Sequence, residues 1–329
     1  RQQKLLRPVV ERIAKILMER RFDYVYLIAR GSSDNAGTYA KYLFGIENRL
    51  PTALAAPSMV TAYGAPPRLD RALVISISQS GRSPDLIANV EDARRQGAST
   101  VVITNDAQSP LAAASEFVID VLAGPERAVA ATKSYTGQLA AIAMLSAFMA
   151  NDKYRLYQMD DLPELADKIL RDATVVERTA ERYRYMNQCV VLGRGYHFAT
   201  VNEWSLKLKE MTYVVAEPYS SADFRHGPIA VVRKGFPIMA VVSQGAVSDD
   251  MMSVLRKLRH ESEVELFVVG DSREAVELGH AGVRIPCIPE WLSPILAILP
   301  AQLFTYHLTQ VKGYDTETPR GLSKVTKTM

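Results

Sequence analysis

Short apolar runs alternate along the chain with longer segments in which apolar residues recur every three or four positions. The short runs predict strands at Tyr24–Ala29, Ala72–Ser78, Ser99–Thr104, Phe117–Asp120, Gln188–Leu192, Val214–Pro218, Pro237–Val242, Glu265–Val269 and Gly282–Ile285. The segments between them have the period of helices. Because strands and helices alternate, the pattern predicts parallel sheets that are covered by helices on both faces.

A polar stretch, NDKYRLYQMDD at residues 151–161, divides the strands into two series. It precedes one long charged helix, which the pattern predicts from about Pro163 to Arg184. With 329 residues, the chain is long enough for two hydrophobic cores. We therefore expect two related α/β domains, residues 1–155 and 156–329, each a doubly wound parallel sheet of the flavodoxin-like or Rossmann-like three-layer type.

One strand of the first series ends in a hydroxyl-rich turn, Ser-Gln-Ser-Gly at residues 78–81. Ser83 and Pro84 then have the residue types favoured at the N-cap and the first position of a helix. Free backbone N–H groups and the positive end of the helix dipole make such a turn a site for an anion such as phosphate. The alternative is a serine-rich turn that only caps its helix, and the segment by itself does not decide between them.

Each half of the chain also has a glycine-containing turn after its first strand, at residues 31–33 (Gly-Ser-Ser) and 193–195 (Gly-Arg-Gly). Ligands of open α/β sheets collect beyond the carboxyl ends of the strands, so the first turn would lie beside Ser78 if the two strands are neighbours. Tight packing of helix on strand is the alternative for both turns. Phe198 stands at the third glycine position of a dinucleotide fingerprint, and no P-loop motif occurs, so neither nucleotide motif is present.

Composition and charge limit the classes of partner. Lys and Arg number 39 against 36 Asp and Glu, and no basic block is interleaved with aromatic residues, which argues against nucleic acid. The longest apolar stretches fall short of the ~20 residues of a membrane span, and no signal peptide is evident. Cys189 and Cys287 belong to no Cys/His cluster, which argues against a zinc site or a disulfide framework. We expect a cytoplasmic protein that needs no metal or cofactor.

Candidate catalytic groups lie in the second half. At helical spacing, Lys207 and Glu210 share one face, while Lys209 is rotated toward solvent. A simple surface ion pair is the alternative interpretation. His226 stands just before Gly-Pro and is therefore expected on a loop. A carboxylate beside an ammonium, together with a loop histidine, suits proton transfer next to a carbonyl and the opening of a sugar ring.

In their order and spacing, these segments resemble those of the sugar isomerase (SIS) domain family. The segments that carry the resemblance are GSS at 31–33, SQSGRS at 78–83, VAATKS at 129–134, LKLKEMTY at 206–213, RHGP at 225–228 and PRGLSK at 319–324. The chain is identified as a member of the double-SIS family, similar to the isomerase half of glucosamine-6-phosphate synthase and to stand-alone glucosamine-6-phosphate deaminases. The resemblance covers nearly the whole chain.

The resemblance implies which residues bind the substrate. The positions that match the phosphate-binding loop are Ser78, Gln79, Ser80 and Ser83. The positions that match those lining the sugar are Ser32, Ser33 and Val129, and Ser323 in the tail is assigned to the same set.

The resemblance also implies catalytic roles. Glu210 matches the base that moves a proton between C1 and C2, and Lys207 lies beside it. His226 matches a ring-opening histidine that the neighbouring subunit contributes, which implies a homodimer. Lys324 matches a tail lysine that contacts the substrate and can form an imine with the open ketose.

The chain departs from the synthase at three points. Ala131 stands where the synthase has a serine that contacts the sugar, and Gly321 gives the tail a looser approach. The N-terminal cysteine of an amidotransferase domain is not found, so we do not expect glutamine-dependent synthesis. These departures favour a stand-alone relative.

The leading hypothesis is therefore an enzyme that converts an amino-sugar 6-phosphate, most simply glucosamine 6-phosphate, to fructose 6-phosphate and ammonia, or runs the reverse reaction with free ammonia. One alternative is a deglycase or isomerase for another aminated ketose phosphate, such as fructosamine 6-phosphate. Others are a sugar-phosphate sensor and a catalytically idle subunit that only binds sugar phosphate. A sensor would usually carry a DNA-binding helix-turn-helix, so its absence and the presence of Glu210 and His226 favour the enzyme.

Overall fold

The structure, a computed structural model, describes residues 2–324. The chain folds into two compact units, of which the second comprises Gln158–Leu322. The first unit comprises the chain up to Tyr157 together with Ser323 and Lys324. The division thus falls two residues after the boundary expected from the sequence, and the described end of the tail groups with the first unit rather than with the second.

The first unit is built on a five-stranded parallel sheet with the strand order β2-β1-β3-β4-β5. Its strands are β1 Tyr24–Ala29, β2 Thr52–Leu54, β3 Ala72–Ser78, β4 Ser99–Thr104 and β5 Phe117–Asp120. Its helices are α1 Gln2–Met18, α2 Ser32–Glu47, α3 Ser58–Thr61, α4 Pro84–Arg95, α5 Pro110–Ala114, α6 Lys133–Met149 and α7 Lys153–Gln158. The central strand β3 is buried at every position, as a strand covered on both faces requires.

The second unit repeats this arrangement with the strand order β10-β9-β8-β6-β7. Its strands are β6 Gln188–Gly193, β7 Val215–Ser220, β8 Pro237–Val242, β9 Glu265–Gly270 and β10 Ala281–Arg284. Its helices are α8 Leu162–Arg171, α9 Thr174–Arg182, α10 His197–Lys207, α11 Ser221–Arg225, α12 Ser248–His260, α13 Arg273–Leu278 and α14 Ser293–Val311, with a short 3₁₀ turn at Pro228–Val231. Strand β6 lies between β7 and β8 as β1 lies between β2 and β3, so both units have the flavodoxin-like order. The predicted fold class is confirmed.

The prediction of a single long helix from Pro163 to Arg184 is wrong, because the chain forms two helices there. Helix α8 ends at Arg171, and α9 starts at Thr174. Asp172 between them leaves the helical region, with φ −100° and ψ 49°. Aspartate and threonine are weak helix formers, since their short side chains compete for nearby backbone groups, and this explains the break.

Helix α10 does not continue as an α-helix beyond Lys207. Residues Leu208–Thr212 form a π-helical turn, and Tyr213 ends it in the left-handed region with φ 56°. Single π turns of this kind occur frequently at functional sites. The α-helical spacing assumed for residues 207–210 is therefore corrected, and Glu210 lies within the π turn.

Buried aromatic rings fix helix α10 in the second unit. The indole of Trp204 packs edge-on against the rings of Phe267 on β9 and Phe304 on α14, with centroids 5.6 and 5.9 Å apart. All three side chains are 0% exposed. Edge-to-face pairs favour this geometry, so the helix that leads to Glu210 has a rigid base.

The most apolar helices lie inside their own units. Helix α6 packs against α1 and α2, and α14 packs against α9 and α10. No helix within residues 2–324 is long and apolar enough to cross a membrane.

Candidate functional site

The candidate binding turns of the first unit follow neighbouring strands. Strands β1 and β3 pair in parallel, with Ala29 opposite Ile77. The turns at residues 31–33 and 78–83 come directly after them and therefore lie at the same edge of the sheet. In this strand order the chain leaves β1 and β3 in opposite directions, which opens the crevice in which such folds bind ligands.

Ser83 stands at the N-cap of α4 without capping it. Its backbone is extended and Pro84 follows at the first helical position, as the sequence predicts, but its side chain accepts no hydrogen bond from the first turn within the described chain. Ser109 and Ser272 provide the contrast, since their side chains accept bonds from Ala112 N and Ala275 N. The hydroxyl of Ser83 thus remains available to another group, which argues against a turn that only caps its helix. Of the first backbone amides of α4, Leu86 N donates to Asp85 Oδ1 at 3.0 Å and Ile87 N to Ser83 O at 3.2 Å.

The other hydroxyls of this turn shape it from within. Ser78 Oγ accepts from Gly81 N at 3.1 Å, and Ser80 Oγ lies 3.4 Å from Arg82 N. Gly81 has φ 62°, and a Cβ atom at this position would lie 2.1 Å from Ser109 Oγ. The turn therefore requires glycine, both for its left-handed backbone and for its close approach to α5.

An ion pair that the sequence did not indicate joins the two turns. Arg30 Nε donates to Asp85 Oδ2 at 2.9 Å, and the Asp85 side chain is only 1% exposed. Arg30 directly precedes Gly31, and Asp85 lies in the first turn of α4. The two residues are 55 positions apart, so no local pattern could have paired them.

A second group of predicted residues meets at the start of α6. Lys324 Nζ donates to the carbonyl of Ala128 at 2.5 Å, which places the tail lysine beside Val129. Gln138 on α6 donates to Ser33 Oγ at 3.0 Å and so links this helix to the first turn. Ser323 is exposed.

In the second unit, Lys207 lies between two carboxylates. Its Nζ is 2.5 Å from Glu210 Oε2 and 3.7 Å from Glu203 Oε1. The side chains of Lys207 and Glu203 are 4% and 0% exposed, whereas Glu210 is 23% exposed. Burial alone would lower the pKa of Lys207, but the two carboxylates raise it above its usual value. The ammonium therefore stays charged and holds Glu210 where a solute can reach it.

Glu203 was missed by the sequence reasoning, although its signal was present. It lies one turn before Lys207, at the i, i+4 spacing of a helical ion pair, among residues that are buried. Lys209 is exposed, as expected.

His226 is presented from the surface of the second unit. It follows the five-residue helix α11 directly as its C-cap, its backbone N–H donates to Asp223 O at 3.0 Å, and its side chain is exposed. Gly227 follows with φ 139°, a backbone that only glycine adopts easily. His226 thus lies on a turn outside regular structure, as expected, and its role in the site stays a prediction.

Within residues 2–324, no three His, Cys, Asp or Glu side chains are grouped as metal ligands. The candidate residues described above offer hydroxyls, a carboxylate–ammonium pair and an imidazole.

The SIS domain family model matches residues 20–147 and 183–312. The chain belongs to the SIS domain family. Each matched segment contains one of the two parallel sheets, so the chain carries the SIS domain twice.

Two relatives place the chain within the family. The isomerizing glutamine–fructose-6-phosphate aminotransferase of Thermus thermophilus is 32% identical over 315 residues, which are 93% of this chain and 52% of that protein. The corresponding protein of Legionella pneumophila is 34% identical over 308 residues, 91% of this chain and 50% of that protein. The chain thus spans about half the length of the curated relatives it matches.

Two solved structures are similar to the chain over nearly its whole length. The C-terminal domain of glucosamine-fructose-6-phosphate aminotransferase from Francisella tularensis is 26% identical, with a TM-score of 0.85 and 97% of both chains covered. Glucosamine-6-phosphate deaminase from Thermotoga maritima is 24% identical, with a TM-score of 0.76 and coverage of 99% of this chain and 97% of that chain. At the latter identity the likeness shows the fold alone.

Proposed function

We propose that this double SIS chain is an amino-sugar-phosphate isomerase and deaminase that converts glucosamine 6-phosphate and water to fructose 6-phosphate and ammonia, or catalyses the reverse reaction with free ammonia. The Lys207–Glu210 pair is the observation that carries the proposal. A carboxylate that is partly exposed and hydrogen-bonded to a buried ammonium is suited to take a proton from carbon and to return it.

The first unit holds the substrate in this proposal. The phosphate accepts hydrogen bonds from the hydroxyls of Ser78, Ser80 and Ser83. Gln79 contributes to the same loop, and the favourable end of the helix dipole adds to the attraction. The sugar contacts Ser32, Ser33, Val129 and Ser323.

The reaction then proceeds in the open chain. His226 transfers the proton that ring opening requires, between the C1 hydroxyl and the ring oxygen. Glu210 removes the proton from C2 and delivers it to C1, while O1 gains the proton that the C2 amine gives up. The amino aldehyde thus becomes the C2 imine of the ketose. The amine of Lys324 displaces ammonia from this imine, and water hydrolyses the new imine to fructose 6-phosphate and the free lysine.

The direct test is incubation of the protein with glucosamine 6-phosphate, followed by measurement of ammonia and fructose 6-phosphate. The Glu210→Gln variant should lose at least roughly 100-fold in kcat, the usual contribution of a general base. Glu217→Gln removes an exposed carboxylate from β7 and is the matched control. If the wild-type protein forms neither product, the proposed reaction is wrong.

A substrate panel decides between the reaction hypotheses. Turnover of fructosamine 6-phosphate in preference to glucosamine 6-phosphate would identify a deglycase. Binding of either sugar phosphate without turnover would indicate a sensor or an idle subunit.

The proposed assembly is a homodimer in which each subunit supplies His226 to its partner. Mixed dimers of Glu210→Gln with His226→Ala then contain one site with both groups intact, although each parent is inactive. Recovered activity in purified mixed dimers supports the shared site, and inactivity of dimers shown to contain both variants would exclude it.

A further inference from the structure

A single carboxylate anchors the segment that carries His226. Asp250, in the first turn of α12, accepts hydrogen bonds from Ser221 Oγ at 2.7 Å and from the guanidinium of Arg225 at 2.5 Å. Ser221 and Arg225 are the first and last residues of α11. Both ends of this short helix are thus fixed to the same side chain.

Asp250 is itself held from a third direction. Arg194, in the turn after β6, donates to Asp250 Oδ2 at 2.6 Å. The three donors come from two different segments, and the carboxylate joins both to α12. Burial alone would raise the pKa of Asp250, but the bonds from Ser221, Arg194 and Arg225 lower it below its usual value. The group therefore remains a charged acceptor at neutral pH.

The link to His226 is covalent. Arg225 is the residue directly before the histidine, and Gly227 directly after it has φ 139°. A five-residue helix is too short to be stable by its own hydrogen bonds. The orientation of His226 therefore depends on the contacts that fix α11. On the polar side of α11, Asp250 makes these contacts. Phe224, 0% exposed, fixes the apolar side.

We propose that Asp250 is a positioning residue for His226: through Arg225 and Ser221 it holds α11 so that the imidazole is presented in one orientation. The inference rests on the proposed function, since a positioned imidazole matters only if His226 acts on the sugar ring. Asp250 was not among the predicted site residues. In this proposal, a residue of α12 orients the histidine that opens the sugar ring.

The test compares Asp250→Asn with Asp249→Asn. Asp249 is the exposed neighbouring acid on the same helical turn, so its variant removes the same charge from α12 without touching α11. Asp250→Asn should lower kcat roughly 10- to 100-fold, the effect of a small misplacement of a catalytic group, and leave KM within about twofold. Asp250→Glu keeps the charge and should recover part of kcat. Arg225→Gln should reproduce the loss, and the double variant should be no worse than either single one.

Mixed dimers show through which residue Asp250 acts. Asp250→Asn should restore activity when paired with Glu210→Gln, because one site then receives an intact His226 segment. It should fail to do so when paired with His226→Ala. Wild-type kcat in Asp250→Asn, or complementation with His226→Ala, would overturn the proposal.

A readout without substrate separates this inference from the proposed reaction. Trypsin cleavage after Arg225 should be roughly 10-fold faster in Asp250→Asn than in Asp249→Asn. The cleavage rate is measured from the fragments that end at residue 225 and begin at residue 226. If the wild-type protein turns over no amino-sugar phosphate but this difference is seen, the proposed function is wrong and the anchor is right. Equal cleavage of the two variants would refute the anchor whatever the enzyme assay gives.

Discussion

Lys207 Nζ lies 2.5 Å from Glu210 Oε2 at the point where helix α10 changes to a π turn. The ammonium belongs to the α-helix and the carboxylate to the π turn, so the ion pair joins the two kinds of backbone. Since Glu203 approaches the same ammonium from one turn earlier, this buried cation contacts two negative groups.

Replacing Lys207 by methionine should therefore affect stability and activity together. The change removes a buried cation from beside Glu203 and Glu210, and removal of one partner of a buried pair costs about 3–5 kcal/mol. Urea unfolding should show a loss of this order. Lys209→Met, which removes an exposed cation two positions away, should stay within about 0.5 kcal/mol of the wild-type protein. A Lys207→Met protein of unchanged stability would mean that Glu203 is not buried as an ion in solution.

Serine-to-alanine substitutions at three helix starts should separate binding from capping. Ser109 and Ser272 cap their helices, so alanine at either position should cost about 1 kcal/mol of unfolding free energy. Ser83 makes no cap bond, so Ser83→Ala should leave stability nearly unchanged but weaken the binding of phosphate.

The measurement for these variants is the shift of thermal unfolding by inorganic phosphate, which needs no turnover. Ser83→Ala should require roughly tenfold more phosphate for the same shift, whereas Ser272→Ala, which lies in the other unit, should retain the wild-type response. If Ser83→Ala destabilises the protein as a lost cap does and leaves the phosphate response intact, the turn is a cap.

The architecture was predictable from the sequence because parallel strands buried on both faces are continuous apolar runs. The run ALVISIS at Ala72–Ser78 was predicted at its observed bounds. Strand β2 was missed, since it has only three residues and lies partly exposed at the edge of its sheet. The break at Asp172 was missed because the charged periodicity continues across it, and only the backbone shows where the helix ends.

The candidate site was predictable only where its chemistry is local. Hydroxyls in one turn, or a lysine and a glutamate three positions apart, leave a signal in the sequence. The Arg30–Asp85 pair joins residues 55 positions apart, and the Asp250–Arg225 pair joins residues 25 positions apart. The local sequence around these residues does not indicate the strand order that brings them together. Such anchoring groups become visible only once the strands are placed.

Gly81 should be the least replaceable residue of the proposed phosphate turn. A left-handed backbone costs a non-glycine residue roughly 1–2 kcal/mol, and at Gly81 the added Cβ would also collide with Ser109. Gly97 has φ 83° and nothing within 4 Å of such a Cβ, so Gly97→Ala isolates the backbone cost. We expect Gly81→Ala to lower unfolding free energy by clearly more than Gly97→Ala and to abolish the phosphate response. Equal stability of the two variants would show that the turn has room to move.

His197 should make the stability of the protein fall at low pH. Burial lowers the pKa of this imidazole to about 3, and its Nε2 lies 2.7 Å from Ser243 Oγ and 2.9 Å from Ser293 Oγ. The neutral ring joins α10, the end of β8 and the start of α14, whereas the unfolded chain takes up a proton near pH 6.5.

The sign follows from these two pKa values. Above pH 6.5 the ring is neutral in the folded and unfolded states, and its contribution to stability is fully present. As the pH falls from 6.5 toward about 3, the unfolded state binds a proton that the folded state does not bind. Stability should therefore decline by up to about 1.4 kcal/mol for each pH unit in that range. Urea unfolding at several pH values should show the stability advantage of the wild-type protein over His197→Gln shrinking as the pH falls below 6.5. A constant difference between the wild-type protein and His197→Gln over this pH range would mean that the buried imidazole accepts a proton without cost.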